Sequence, residues 1–431
     1  MSMFSRTSGS GRSRRTLRVL TSLALVGSLT LAACGDDDSS SDGGTDDTTA
    51  PDGSAAPAPT GDPLIVWVVS TVDSSVQSYP NIKAAAEIYE QYINDNGGIG
   101  GRPLDMTFCD GKTDPNEDAA CARKAVDAGA IALVGGYDTD VSLLIEVLEE
   151  SNTAWFGACC PVVAKEFSSP IAFNMGSVFS FNAGAAYKMS EDGCEAPAFL
   201  FGENGSQDYF IGQTKAAFEK LGYTNEVKYL TFPLTTSDYS ALAAKAADGT
   251  DCIHGFMGDI QWLGFIPAMK AVGGAQRLYG PQGNLNEKVG EAFPAETEGG
   301  VSINAYPNIA GPMWDDYRAA LETYDAPDLD WNSLAGLGTW AAFEGFRKIV
   351  EQMIADGVEV NNNTFIDAAN ATSNLPMDNM VGDLDFTSPW TGEGGAFPRI
   401  FNRSVAFDVF SGGKLSPLDD KTYDMSPYHA D

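Results

Sequence analysis

Seven cysteines, two histidines and a glycine-rich turn are the residues of this 431-residue chain whose types and spacing could do chemistry. His254 and His429 each stand outside any His-Glu-x-x-His or comparable spacing, which argues against a zinc enzyme. The chain contains no Gly-x-Ser-x-Gly nucleophile elbow and no Gly-x-x-x-x-Gly-Lys-Ser/Thr phosphate loop. The cluster Gly97-Gly98-Ile99-Gly100-Gly101 follows a helical pattern and precedes a strand, the reverse of a dinucleotide fingerprint, so it reads as a helix stop. These patterns predict no cofactor and no metal. They predict a binding protein rather than an enzyme, with a hydrolase built from scattered carboxylates as the remaining catalytic class.

The cysteines fall into groups. Cys34 closes the run Leu31-Ala32-Ala33-Cys34, behind Arg12, Arg14, Arg15 and Arg18 and an apolar stretch over 19–33. A charged n-region followed by an h-region of this length is a secretion signal, too short to span a membrane. The four closing residues resemble the lipobox of bacterial lipoproteins, in which the cysteine is lipidated and becomes the mature N-terminus. Cys109 ends a predicted strand and Cys121 lies about two turns into the next helix, while Cys194 and Cys252 begin two strands expected to be sheet neighbours. In an oxidising compartment both pairs are candidate disulfides; independent buried thiols are the alternative. The adjacent Cys159 and Cys160 are either a vicinal disulfide or free thiols packed near Trp155 and Phe156.

A formal charge of −33 makes nucleic acid an unsuitable partner, because phosphate contacts need basic patches. The acidity reads as a solvated, self-repelling surface. Between Gly35 and Asp62 stand eight aspartates among Ser, Thr, Gly, Ala and Pro, with nothing large and apolar to offset the entropy of ordering. Residues 1–33 are therefore expected to be a signal peptide and 34–62 a lipidated, acidic tether.

Beyond it, elements alternate. Leu64 to Val69 is a buried-strand run, and Ile82, Ala85, Ala86, Tyr89 and Ile93 recur at helical spacing up to the glycine stop. Leu104, Met106 and Phe108 alternate as a strand, and Asp114-Pro115-Asn116-Glu117 opens a second helix with an N-cap and a first-turn proline. Ile131 to Val134 is a continuous apolar run, as in a strand buried on both faces, and Ala154 to Phe156 supplies another. A second series has strands near 197–201, 227–231 and 252–257 with helices near 208–221, 239–247 and 261–272. Helices near 313–324, 335–355 and 365–371 and a strand over 405–410 complete the pattern. Strand, loop and helix in turn predict an α/β fold of doubly wound sheets, which bind ligands at the carboxyl ends of their strands.

In order, the Asn-Gly-Gly-Ile-x-Gly turn, the Cys109-Asp110 and Asp114-Pro115 segment and the Val134-Gly135-Gly136 loop resemble the extracytoplasmic solute-binding proteins of ABC transporters. More narrowly, they resemble the type I group that includes the leucine/isoleucine/valine-binding proteins, over about Leu64 to Phe410. The resemblance implies two Rossmann-like lobes joined by a three-strand hinge: 63–179 with 308–385, and 180–307 with 386–431. It implies a monomer that captures a small-molecule solute between closing lobes and passes it to an ABC permease. Its place would be the outer face of the membrane, or the periplasm, held through an N-terminal lipid. By the same resemblance Ser78, Tyr79, Tyr137, Thr139, Ala158 and Cys160 face ligand from the first lobe, and Tyr209, Asp259 and Gln282 from the second. A branched-chain or similar amino acid is the leading ligand, with Asp259 as partner of its ammonium. Gln282 stands where the family typically has an acid, so amides, or aromatic carboxylates stacking on Tyr209 or Trp262, are the alternative. A sensor that presents ligand to a kinase is the alternative role, and it would need no spanning helix of its own.

Overall fold

The computed structural model describes residues 57–74, 78–203 and 207–430. The expected signal peptide, Cys34 and most of the tether lie outside them. The tether's end is already attached: backbone N–H groups of Thr60 and Gly61 donate to Gly101 O at 3.0 and 3.1 Å, and Arg102 Nε donates to Asp62 O at 2.7 Å. The turn beyond the glycine stop offers these groups, so order begins before the composition changes.

The first sheet contains β1 (Leu64–Ser70), β2 (Leu104–Asp110), β3 (Ala132–Val134), β4 (Ala154–Phe156) and β5 (Ala172–Phe173). All are parallel, in the order β2-β1-β3-β4-β5. Helix Pro80–Asp95 buries Ile82, Ala85, Ala86, Tyr89 and Ile93, and helix Pro115–Asp127 begins at Asp114, whose side chain accepts from Asn116 N at 2.9 Å. Later in the chain, helix Leu334–Ala355 returns to this sheet. Its Phe343 stacks on Tyr89 with ring centroids 4.9 Å apart, and Thr339 Oγ1 donates to Gly135 O at 3.1 Å. The return requires glycine at 157: with φ +73°, a Cβ there would stand 2.4 Å from the Ala342 Cβ. A side chain would have to push the helix away, at a cost of about 1–3 kcal/mol.

The second sheet contains β6 (Pro197–Glu203), β7 (Lys228–Pro233), β8 (Cys252–Phe256), β9 (Arg277–Pro281), β10 (Val301–Asn304), β11 (Ser404–Ser411), β12 (Lys414–Pro417) and β13 (Tyr423–Asp424). Its order is β12-β11-β10-β9-β8-β6-β7, with β13 on β11. Strands β6 to β10 are parallel, and β11 adds antiparallel to β10 as the chain comes back for the last time. Strand β6 is almost wholly buried, the reading for a central parallel strand covered by helices on both faces. Disulfides join Cys109 to Cys121 and Cys194 to Cys252.

Candidate functional site

The loops after β1, β3 and β4 leave the same edge of the first sheet. Tyr137 N donates to Val69 O at 3.1 Å, which brings the loop after β3 against the end of β1. Tyr79 and Tyr137 meet edge to face, with ring centroids 4.9 Å apart. Burial is the main reason both hydroxyl pKa values rise, Tyr79 to about 12, and the nearby Cys159 and Cys160 thiols raise them further. Both phenols stay neutral at physiological pH and can donate a hydrogen bond. Ser78 Oγ donates to Val72 O at 2.9 Å, which folds its loop back on itself. Thr139 N and Oγ1 donate to Asp138 Oδ1 at 2.7 and 3.3 Å, and Thr71 Oγ1 donates to Asp138 Oδ2.

Ala158 and Cys159 are buried and Cys160 is half-buried. Cys159 and Cys160 are free thiols, so the vicinal disulfide is not formed. Burial holds the Cys159 thiol well above its ordinary pKa, so it is protonated and a poor nucleophile. Beside it lies Tyr306, fully buried, with its hydroxyl unpartnered. This residue, at the crossing out of β10, was not expected; a lone tyrosine in a loop carries no periodic signal.

On the second lobe, Tyr209 lies in the first turn of helix Gln207–Lys220, and its hydroxyl accepts from Gln213 Nε2 at 2.7 Å. Its ring lies 5.8 Å from both Phe179 and Phe397, and these two are 4.8 Å from each other. Phe167 packs 5.5 Å from each. The aromatic group thus joins residues from the first lobe, the first crossing, the second lobe and the last crossing. Phe397, in a stretch rich in glycine and proline, showed no pattern in sequence.

Three expectations need correction. Asp259 pairs with Lys288 at 3.1 Å rather than standing uncommitted. Gln282 is buried and engaged with backbone: its Oε1 accepts from Ala305 N and Tyr306 N at 3.0 and 3.2 Å, and its Nε2 donates to Tyr306 O at 3.1 Å. It fastens the crossing at Ala305 and Tyr306. Trp262 is fully buried in the second lobe's core, 5.9 Å from Phe265, because helix Asp259–Ala271 turns that face to the sheet. It has no surface for stacking on a ligand.

Both histidines are buried, and neither ring nitrogen of His254 has a hydrogen-bond partner. His254 lies inside β8, and burial lowers its pKa to about 3, while His429 Nε2 is 3.0 Å from Ser180 Oγ. The one close trio of potential ligands among the described residues, Cys194, Asp251 and Cys252, contains the second disulfide.

The chain has a five-stranded parallel sheet and a larger mixed one, and a family model for periplasmic binding proteins matches residues 68–395. The chain belongs to the periplasmic binding protein family. Solved structures agree on its type I fold. A leucine-binding protein from Thermotoga maritima is 15% identical, with TM-score 0.62, covering 84% of this chain and 99% of that one. A solute-binding protein of an ABC transporter from Rhodopseudomonas palustris, in complex with p-hydroxybenzoic acid, is 18% identical, with TM-score 0.64, covering 85% and 98%. A fatty acid ABC transporter substrate-binding protein from Thermomonospora curvata is 17% identical, with TM-score 0.62, covering 88% and 97%. No curated protein matches. Periplasmic binding proteins are not an enzyme family, and they work outside the cytoplasm. Among the described residues, no helix of this one is long and apolar enough to cross a membrane.

Proposed function

We propose that this periplasmic binding protein captures a small carboxylic acid with an aromatic or otherwise apolar body and delivers it to an ABC permease. The observation that carries the reading is that the site's carboxylates are already engaged. Asp138 accepts from Thr71 and Thr139, Asp259 pairs with Lys288, and Glu393 lies against Gln213 and Tyr209. An amino acid's ammonium would meet only carboxylates already hydrogen-bonded within the protein, and a buried charge that is not closely paired is unfavourable. A solute carboxylate instead would find neutral donors in Tyr79, Tyr137 and Cys160, while Tyr209, Phe179 and Phe397 would contact its apolar part. The relatives named for p-hydroxybenzoic acid and fatty acid support this class, and the leucine-binding relative supports the amino-acid alternative.

A thermal-shift screen tests it. At 100 times its dissociation constant a ligand adds about 2.7 kcal/mol of stability, a shift of several degrees. Benzoate-like and medium-chain acids are expected to shift the transition, and Tyr137→Phe is expected to weaken them about ten- to a hundredfold, the effect of one hydrogen bond to a charged group. A shift with leucine, isoleucine or valine and none with simple acids would assign the site to amino acids.

Delivery to a membrane partner suits the lipid anchor proposed for Cys34. The acidic tether would let the body sample space above the membrane. Cells producing the protein should yield it in the membrane fraction, and the Cys34→Ala chain in the soluble fraction. Identical fractionation of the two would remove the anchor.

A further inference from the structure

A cavity of about 810 Å³ opens between β10, β11, the helix Glu287–Ala292 and the segment 328–332 that leads into helix Leu334–Ala355. Among the residues assigned to solute above, only Gln282 reaches it, and that side chain is held by the backbone of Ala305 and Tyr306. The cavity is therefore separate from the loops that carry Tyr79, Tyr137 and Cys160.

Its floor is polar and buried. Ser302, Asn304, Asn308 and Asp408 all line it and all are at most 4% exposed. Ser302 and Asp408 face each other across the antiparallel register. Ser302 Oγ donates to Asn304 Oδ1 at 2.7 Å, and the Asn304 amide faces the Asp408 carboxyl. Asn308 Nδ2 donates to Asp408 Oδ2 at 2.7 Å, and Asn308 Oδ1 is fixed by Ala310 N at 2.9 Å. Asp408 Oδ1 has no partner. A buried carboxylate oxygen left open in a cavity is costly unless something occupies it.

The charge around the floor says what that occupant is. The lining carries Asp328, Asp330, Glu287 and Glu291 besides Asp408, and its one basic residue, Lys288, is paired with Asp259. Glu287 and Glu291 meet Lys414 at the cavity's edge. Burial raises the Asp408 pKa to about 6, against the lowering effect of Asn308 and Asn304, so the carboxyl is mostly ionised at neutral pH. The geometry points to a second binding site, in which Asp408 Oδ1 receives the primary ammonium of a small organic amine and the acidic rim holds a second positive group. A short diamine supplies both positive groups.

The probe is 1,4-diaminobutane, titrated calorimetrically into the full chain, with 1-butanol and calcium chloride as controls. Saturable binding of the diamine, no heat from the alcohol and at least a tenfold weakening in Asp408→Asn are expected. Asp408 lies within the sheet, so Asp328→Asn on the exposed rim serves as a second variant; it should weaken the diamine about two- to threefold. Benzoate-class binding, where present, should keep its affinity in Asp328→Asn. Absence of diamine binding, binding unchanged in the folded variants, or a preference for calcium over the diamine would each overturn the assignment.

Discussion

Replacing Cys194 and Cys252 together by alanine is expected to lower the unfolding free energy by about 4 kcal/mol. The bridge closes a loop with a sequence separation of 58, and on the loop-entropy relation a closure of that length restricts the unfolded chain by about that amount. The shorter bridge, Cys109 to Cys121, has a separation of 12 and should contribute about 3 kcal/mol. The longer one also organises packing at the start of the second lobe. Cys194 Sγ lies 3.6 Å from Tyr279 Oη, which donates to Asp192 at 2.8 Å, and Asp192 in turn pairs with Arg277 at 3.0 Å. Denaturant titration of the double variant checks the value, and a loss below about 1 kcal/mol would show that the bridge is absent or strained. Thiol titration of the denatured, unreduced protein gives an independent reading. Cys159 and Cys160 should react, together with Cys34 where it carries no lipid, and four or more reactive thiols would contradict the two bridges.

Asp118→Asn is expected to stabilise the protein by about 3 kcal/mol at pH 9 and by much less at pH 5. Asp118 is buried behind the end of β2, and neither carboxyl oxygen has a hydrogen-bond partner. Its pKa is raised to about 8, first by burial and then by the charges of Asp138, Asp114, Asp140 and Asp110. In the unfolded chain the same group titrates near 4, so the folded state holds the proton more tightly. The associated loss of stability is absent below about pH 4, grows as pH rises toward 8 and then levels. An amide carries no charge and can donate to a neighbouring carboxylate, which removes the slope and the open acceptor together. Glycine at 111 permits the arrangement, since a Cβ there would meet Asp118 Oδ1 at 1.8 Å. Thermal melts of both proteins from pH 5 to pH 9 decide: parallel curves would show that Asp118 is ionised throughout or has a partner in solution.

Much of the fold was legible because its signals are local. The strand expected over Ala154–Phe156 is found there, and the helices expected near 82–93, 208–221 and 335–355 begin and end within a few residues of their patterns. Boundaries moved where capping reached further than apolar spacing. The helix expected from Gln261 starts at Asp259, because Gln261 Oε1 accepts from Gly258 N at 2.8 Å. The one expected from Phe365 starts at Asn362, because the Asn361 side chain accepts from Thr364 N at 3.1 Å. Strands β5 and β9 drew no separate expectation: one has two residues, and the other ends in Gly280 and Pro281.

The sequence by itself determined the alternation of strands and helices, the absence of spaced catalytic or metal-binding motifs, and which four cysteines were candidates for pairing. Each of these rests on residue type, or on spacing within one element and its neighbour. Which side chains are available to a solute was decided only by tertiary structure. Asp259 looked uncommitted until folding brought Lys288 to it across a separation of 29, and Gln282 looked like a ligand contact until the crossing at Ala305 and Tyr306 took its amide. Phe397 reaches Tyr209 and Phe179 only because the last crossing passes over the first. Helical and strand periodicities report which face of an element is buried, and hydrogen-bond partners far apart in the chain leave no trace in either period.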